Sequence, residues 1–336
     1  MKRKGIIAAG NWITDVVKIL DVFPKQESLA NILSESVSNG GSPYNVLKDL
    51  SKLQAPFPLE AIGLVGNDER GKAIIADCKS HHITTDKLQA THLAPTSYTD
   101  VMSVASDGKR TFFHQRGANA LLDAAHIDLT TSKAKIFHLG YLMLLDKLDE
   151  VENGTTKAAQ VFKQAQALGF ITSTDMVSEN SNRFKEVVGP SLPYIDILFI
   201  NEFEAEKITH IATTGDGIID IENCKKACTA LLELGVKQWV KLHFPQGAIA
   251  AFIDGTFTLQ GSLSLPNDYI VSAVGAGDAF AAGVLYGLHE EWAIEKCLQL
   301  GVCAAAASLT EPNCSDGVLP HRDCFLLGEK FGYKML

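Results

Sequence analysis

Flat apolar blocks of five or six residues, rich in branched side chains and bounded mostly by Gly, Asn or Asp, recur at 5–9, 60–65, 135–139, 170–174, 195–200, 238–242 and 248–253. A block without polar alternation predicts a strand covered on both faces. Between the blocks lie segments with apolar residues at helical spacing. The clearest are 155–168 and 221–234, followed by Gly169 and Gly235, where the end of a helix favours glycine. Strand alternating with helix predicts an α/β fold: a mainly parallel central sheet with helices on both faces.

Two stretches break this rhythm. Residues 98–106 set Thr99, Val101, Ser103 and Ala105 against Asp100, Met102 and Val104, turn at Asp107-Gly108 and resume over 109–116, which predicts a hairpin with one half-exposed face. Residues 16–22 and 28–37 read similarly. Together these lid segments, about 16–38 and 98–117, predict a small antiparallel sheet over the carboxyl edge of the main sheet, where open α/β folds bind ligands. No internal repeat, low-complexity tract or long Pro/Gly linker interrupts the chain, so residues 1–336 read as a single domain with an inserted lid.

Composition narrows the function. The chain is 46% hydrophobic and 21% charged, enough for a large core. Thirty Lys and Arg against thirty-nine Asp and Glu leave a net charge of −9, which repels a polyphosphate backbone, so no nucleic-acid partner is expected. No apolar run approaches the ~18 residues of a membrane span, and the run after Lys2-Arg3-Lys4 is too short for the ~7–15-residue core of a secretory signal. The seven cysteines (78, 224, 228, 297, 303, 314 and 324) are odd in number and never spaced as CxxC pairs. They predict a reduced, cytoplasmic protein without a zinc site. The histidines show no metal-ligand spacing, although His114 on the lid hairpin is within reach of a substrate, and no nucleophile elbow is present.

The sharpest motif is Val274-Gly275-Ala276-Gly277-Asp278, which follows an extended segment and opens a small-residue helix. Small residues at a helix start leave backbone N–H groups free to converge on an anion. A carboxylate beside developing negative charge costs energy unless it removes a proton, which makes Asp278 a candidate general base. The plainer reading is an N-terminal Asp that complements the helix dipole. By contrast, the Gly66-to-Lys72 spacing imitates a phosphate-binding P-loop. Ala73 lacks the hydroxyl that such a loop presents to magnesium, and Asp68-Glu69 would face the phosphates, so the segment reads as a turn into a helix.

With Gly275 to Asp278 stand three further motifs: Gly10-Asn11-Trp12-Ile13-Thr14-Asp15, Gly40-Gly41 with Asn45, and Asn201-Glu202-Phe203-Glu204. In this order and spacing the chain resembles the ribokinase-like (PfkB-type) carbohydrate kinases over nearly its whole length. The resemblance implies an ATP-dependent sugar kinase that uses Mg2+. Asp278 would be the base and Gly275, Ala276 and Gly277 the anion hole. Asp15, Gly41 and Asn45 would clamp sugar hydroxyls, with Asn119 in the same pocket. Asn201 and Glu204 would organise magnesium through water, and Lys241 and Gly247 would meet the nucleotide.

The chain departs from the family at two places. His243 replaces the first glycine of the nucleotide loop, which puts that loop's ATP contacts in question. Ser272-Ala273 stands where the family has Asp-Thr, whose acid helps bind a monovalent cation, so potassium activation is expected to be altered or absent. Pro43 and Tyr44 replace smaller residues and point to a sugar other than ribose. A free sugar, a keto-sugar acid and a nucleoside all stay open, while sugar phosphates are less favoured because few basic residues lie nearby. A catalytically silent relative, binding sugar as a regulator or assembly subunit, is the competing reading. The exposed lid edge would suit a homodimer.

Overall fold

The computed structural model describes residues 2–106 and 109–336; the expected turn at Asp107-Gly108 lies outside them. The chain makes β1 (Ile6–Gly10), leaves the body for β2 (Ile13–Leu20) and β3 (Ile32–Gly40), and returns through α1 (Ser42–Lys52). Next come β4 (Leu59–Gly66), α2 (Glu69–Ser80) and β5 (Ile83–Thr91), then a second excursion through β6 (Ser97–Val104) and β7 (Arg110–Gln115). The chain continues with β8 (Ile136–Leu142), the short ribbon β9 (Val151–Glu152) and β10 (Thr155–Thr156), α3 (Lys157–Ala167), β11 (Ile171–Met176), α4 (Phe184–Val188), β12 (Ile197–Asn201) and α5 (Glu202–Thr209). The ribbon β13 (Thr214–Gly215) and β14 (Ile218–Ile219) and α6 (Ile221–Glu233) precede β15 (Trp239–Phe244), β16 (Gly247–Phe252) and β17 (Phe257–Gly261). Helices α7 (Ala276–His289), α8 (Ile294–Ser308) and α9 (His321–Phe331) end the described elements.

Nine strands form one sheet, in the order β17-β16-β15-β12-β11-β8-β1-β4-β5. It is parallel from β15 to β5, with β16 and β17 as an antiparallel edge. Each flat block identified in the sequence lies in one of these strands, and its side chains supply two cores. One contains Phe137, Phe162 and Leu198 and faces α3 to α6; the other contains Ile6, Phe199 and Leu285 and faces α1, α2 and α7 to α9. Each fully buried Leu, Ile or Phe contributes roughly 1.5–3 kcal/mol, which is why these strands carry so little polarity.

Parallel strands deliver their carboxyl ends to one edge. Asn11, Tyr141, Asp175, Asn201 and His243 lie in the last residues of β1, β8, β11, β12 and β15, or just beyond them. A separate four-stranded sheet, β3-β2-β6-β7, stands off that edge. The lid strands occupy 13–40 and 97–115, close to the expected spans. Its two hairpins are antiparallel, as the sequence predicts, and they join through β2 and β6, which run parallel. The reason is topological: β2 follows β1 and β6 follows β5, so both strands leave the body in the same direction. The P-loop mimic is a capped turn, in which Asp68 accepts from Gly71 N at 2.9 Å and from Thr96 Oγ1 at 2.6 Å.

Candidate active site

Three adjoining cavities run from the lid along the carboxyl edge of the main sheet. One of about 450 Å³ lies between the lid and the body, one of about 270 Å³ lies over the sheet edge, and one of about 490 Å³ lies beside β15, β16 and α8. Tyr141 and Val177 border the first two, and Asn201, His243 and Gly277 border the last two. Together they form a trough with Asp278 on its central wall.

Gly275 caps α7 with φ of 79°, a left-handed conformation, and a Cβ there would lie 2.6 Å from both Cβ and the carbonyl oxygen of Cys314. Only glycine makes this turn at little cost. It frees the first-turn N–H groups of the helix to face the cavity. Asp278 follows, 5% exposed, with Asn45 Nδ2 donating at 2.7 Å and the Tyr141 hydroxyl donating at 2.9 Å. Both land on Oδ2, which leaves Oδ1 to take a proton. Burial, and next the negative charge of Asp175, push Asp278 up to about 8, while the two donors pull it back.

Asp15 lies on β2 and lines the cavity between lid and body with Gly41 and Asn45. Burial raises Asp15 to about 6, offset in part by the Thr99 hydroxyl. Gly41 has φ of 94°, and a Cβ there would sit 1.9 Å from the carbonyl oxygen of Asn11. Asn45 keeps Oδ1 buried without a partner, and so does His114 with Nε2. Desolvation, then Arg116, lowers His114 to about 4, so a neutral imidazole faces the cavity.

Asn201 and Glu204 form a reciprocal cap on α5: Asn201 Oδ1 accepts from Glu204 N at 2.8 Å, and Glu204 Oε2 accepts from Asn201 N at 3.0 Å. Ser178 donates to Glu204 Oε1 at 2.7 Å and accepts from Asn201 Nδ2 at 2.8 Å. Burial raises Glu204 to about 8. Glu204, Asp175 and Asn201 all line the central cavity, a set of hard oxygen donors of the kind Mg2+ takes. Among the described residues no group of three or more His, Cys, Asp or Glu is placed to hold a metal ion.

Other sequence-based assignments change. Asn119 does not line the cavity between lid and body: its amide is spent on the Trp12 backbone, accepting and donating at 3.2 Å, and so it braces the chain after β1. Lys241 is fully buried in β15, its Nζ 4.7 Å from the Trp239 ring centroid and without a hydrogen-bond partner, and it borders none of the three cavities. Desolvation drives it down to about 7. Two residues further on, His243 reaches the trough, its ring packed on Phe280 with centroids 5.4 Å apart, and Gly247 lines the cavity beside β15, β16 and α8. Tyr44 is buried and donates to Asp77, so it does not shape the pocket directly. Ser272 Oγ accepts from Val274 N at 3.2 Å and from Arg110 Nη1 of the lid at 3.3 Å.

Sequence reasoning missed Tyr141 and Asp175. Asp175 directly follows the block 170–174 and Tyr141 comes two residues after the block 135–139, where a parallel strand reaches its carboxyl end, and that position was the available signal. Tyr141 has φ of 56°, a conformation costing a bulky residue roughly 1–3 kcal/mol. Asp175 Oδ1 accepts its N–H at 2.7 Å and holds it in place. A Tyr141→Phe enzyme is expected to lose about tenfold in kcat, with the acidic limb of its pH profile moved upward, because the lost donor favoured the Asp278 carboxylate. A pH–rate series measures this, and an unmoved limb would exclude a positioning role.

A glycine turn opening a helix, a buried carboxylate beside it and a trough at the carboxyl edge of this α/β sheet suit a phosphotransferase that acts on an alcohol. The chain belongs to the pfkB family of carbohydrate kinases, whose model matches residues 5–322. It is 24% identical to adenosine kinase 2 of Arabidopsis thaliana, across 92% of this chain and 88% of that one. Its fold is similar to that of Arabidopsis thaliana ribokinase complexed with ribose and ATP, with a TM-score of 0.78, 22% identity, and 97% and 98% of the two chains covered. It is likewise similar to an E. coli structure described as a ribokinase II in complex with ATP and Mg2+, with a TM-score of 0.76, 18% identity, and 97% and 99% covered.

Proposed function

We propose that this protein transfers the γ-phosphate of ATP to a hydroxyl of a sugar or a sugar-bearing alcohol, with Asp278 as general base. The observation that carries the reading is the place of Asp278. It lines the central cavity, which adjoins the lid-covered cavity, read as the acceptor side, and the cavity beside β15, β16 and α8, read as the nucleotide side; one carboxylate oxygen is engaged by two donors and the other is left for a proton. The acceptor hydroxyl lies against Asp15, Gly41 and Asn45 and gives its proton to Asp278 as it attacks. The N–H groups of Gly275, Ala276 and Gly277 hold the charge that spreads over the transferring phosphoryl group. Asn201 and Glu204 would hold Mg2+ through water, and bound there it would neutralise phosphate charge.

ATP turnover against a panel of sugars, sugar acids and nucleosides, with and without Mg2+, tests the reading. Acceptor-dependent, Mg2+-dependent ADP release is expected. A thermal shift induced by an acceptor without turnover would instead mark a silent binder.

The lid carries a second proposal. On its face turned away from the trough, Val37 and Phe113 are 64% and 52% exposed, and a second copy would cover them. Val37→Glu should then lower the molar mass measured by light scattering from dimer to monomer; a wild-type monomer at micromolar concentration would refute this. All seven cysteines are free and buried, which supports a reducing, cytoplasmic setting. Among the described residues no helix is long and apolar enough to cross a membrane.

A further inference from the structure

The acceptor-side cavity is amphipathic along its length. Its floor is polar: Asp15, and the unpartnered Asn45 Oδ1 and His114 Nε2, are groups that bind hydroxyls. Its outer half is not. There Ile19, Val101 and Phe112 of the lid and Leu144, Val271 and Pro312 of the body line the same cavity. Phe112 and Val271 are 57% and 62% exposed, two apolar side chains left open to water in one cleft. At about 450 Å³ the space is nearly that of the nucleotide-side cavity, about 490 Å³, and far more than one sugar ring fills.

A free sugar carries hydroxyls on every side. Seated in the outer half, it would lose water from them and gain few partners, since Ser103, Arg110, Ser272 and Asn313 are spread along one mainly apolar cleft. A sugar acid would bring a carboxylate, and among the described residues Arg110 is the one Lys or Arg lining this cavity, but its guanidinium is already directed at Ser272 across the cleft. A flat ring fits better. Its faces pack on Phe112, Val101 and Val271, and its edge acceptors meet Arg110 or Asn313 at the rim.

We infer that the acceptor is a nucleoside, its sugar held on the polar floor at Asp15 and Asn45 and its base in the apolar slot between lid and body. The inference rests on the kinase reading above, whereas the slot itself can be tested without catalysis. Isothermal calorimetry on the whole protein, without ATP, compares adenosine, guanosine, cytidine, uridine, ribose and 2-keto-3-deoxygluconate. At least one nucleoside is expected to bind about tenfold or more tighter than ribose. Phe112→Ser should weaken that nucleoside about tenfold and ribose far less. Val271→Ser, on the body side of the slot, should do the same and serves if the lid variant misfolds. Ribose or the sugar acid binding more tightly than every nucleoside would overturn the inference, as would equal weakening of ribose and nucleoside in both variants. Turnover with ATP and Mg2+ separates the two readings. A nucleoside that binds but is not phosphorylated defeats the kinase reading alone, and a preferred free sugar or sugar acid defeats the slot alone.

Discussion

An Asp278→Asn enzyme is expected to lose about three orders of magnitude in kcat while its KM for ATP changes by about twofold or less. The asparagine keeps the shape and can still meet Asn45 or Tyr141 after an amide flip, but it cannot accept the proton of the acceptor hydroxyl. The pH profile gives an independent readout. In the wild type, burial and the charge of Asp175 hold Asp278 protonated until about pH 8, so activity rises through that region as the base is freed. The variant should show no such limb.

Stability should move the other way. The folded-state pKa lies above the 3.8 of an unperturbed carboxyl, so the protonated group favours the fold at low pH, and that contribution is lost as pH rises from about 4 through about 8. Asp278→Asn should therefore melt above the wild type at pH 8, with the gap closing toward pH 4. Differential scanning calorimetry across that range measures it. Near wild-type turnover in this variant would remove Asp278 from the role of base.

Gly275→Ala is expected to cost activity and stability together. Alanine at φ of 79° is strained, and its Cβ would press on the Cβ and carbonyl oxygen of Cys314, each 2.6 Å away, so the loop before α7 must shift. Stability should fall by about 2 kcal/mol, and kcat by about a hundredfold, because the N–H groups of the anion hole move off the position where phosphoryl charge develops. A thermal melt and steady-state kinetics check this. Ala276→Gly is the control, since it adds flexibility but no atom. A Gly275→Ala enzyme within about threefold of wild-type kcat would show that the turn does not shape the phosphoryl site.

These two residues were legible in the sequence because their chemistry is local. A glycine turn and a carboxylate in the first turn of a helix need only neighbouring residues to define them. The Asn201–Glu204 pair was equally local, and the cap that the spacing allowed is the one that forms. The flat blocks named the sheet strands because a strand covered on both faces has no polar side to show.

Residues judged by type alone fared differently. Lys241 looked like a nucleotide ligand, but it stands two residues back from His243, about 6–7 Å along a strand, and that distance places it inside the sheet instead of at the cleft. Asn119 looked like a hydroxyl ligand, but its amide closes on the Trp12 backbone.

By itself, then, the sequence determined the alternation of strands and helices, the lid insertions, the glycine turn proposed to hold an anion and the carboxylate proposed as base, all set by short-range pattern. Only the tertiary structure decided which partners that base has and what the acceptor cavity is lined with. Asn45, Tyr141 and Asp175 meet Asp278 from α1, β8 and β11, and Phe112 faces Val271 across a gap between lid and body. Such contacts depend on sheet order and lid position, and no local spacing of residues encodes them.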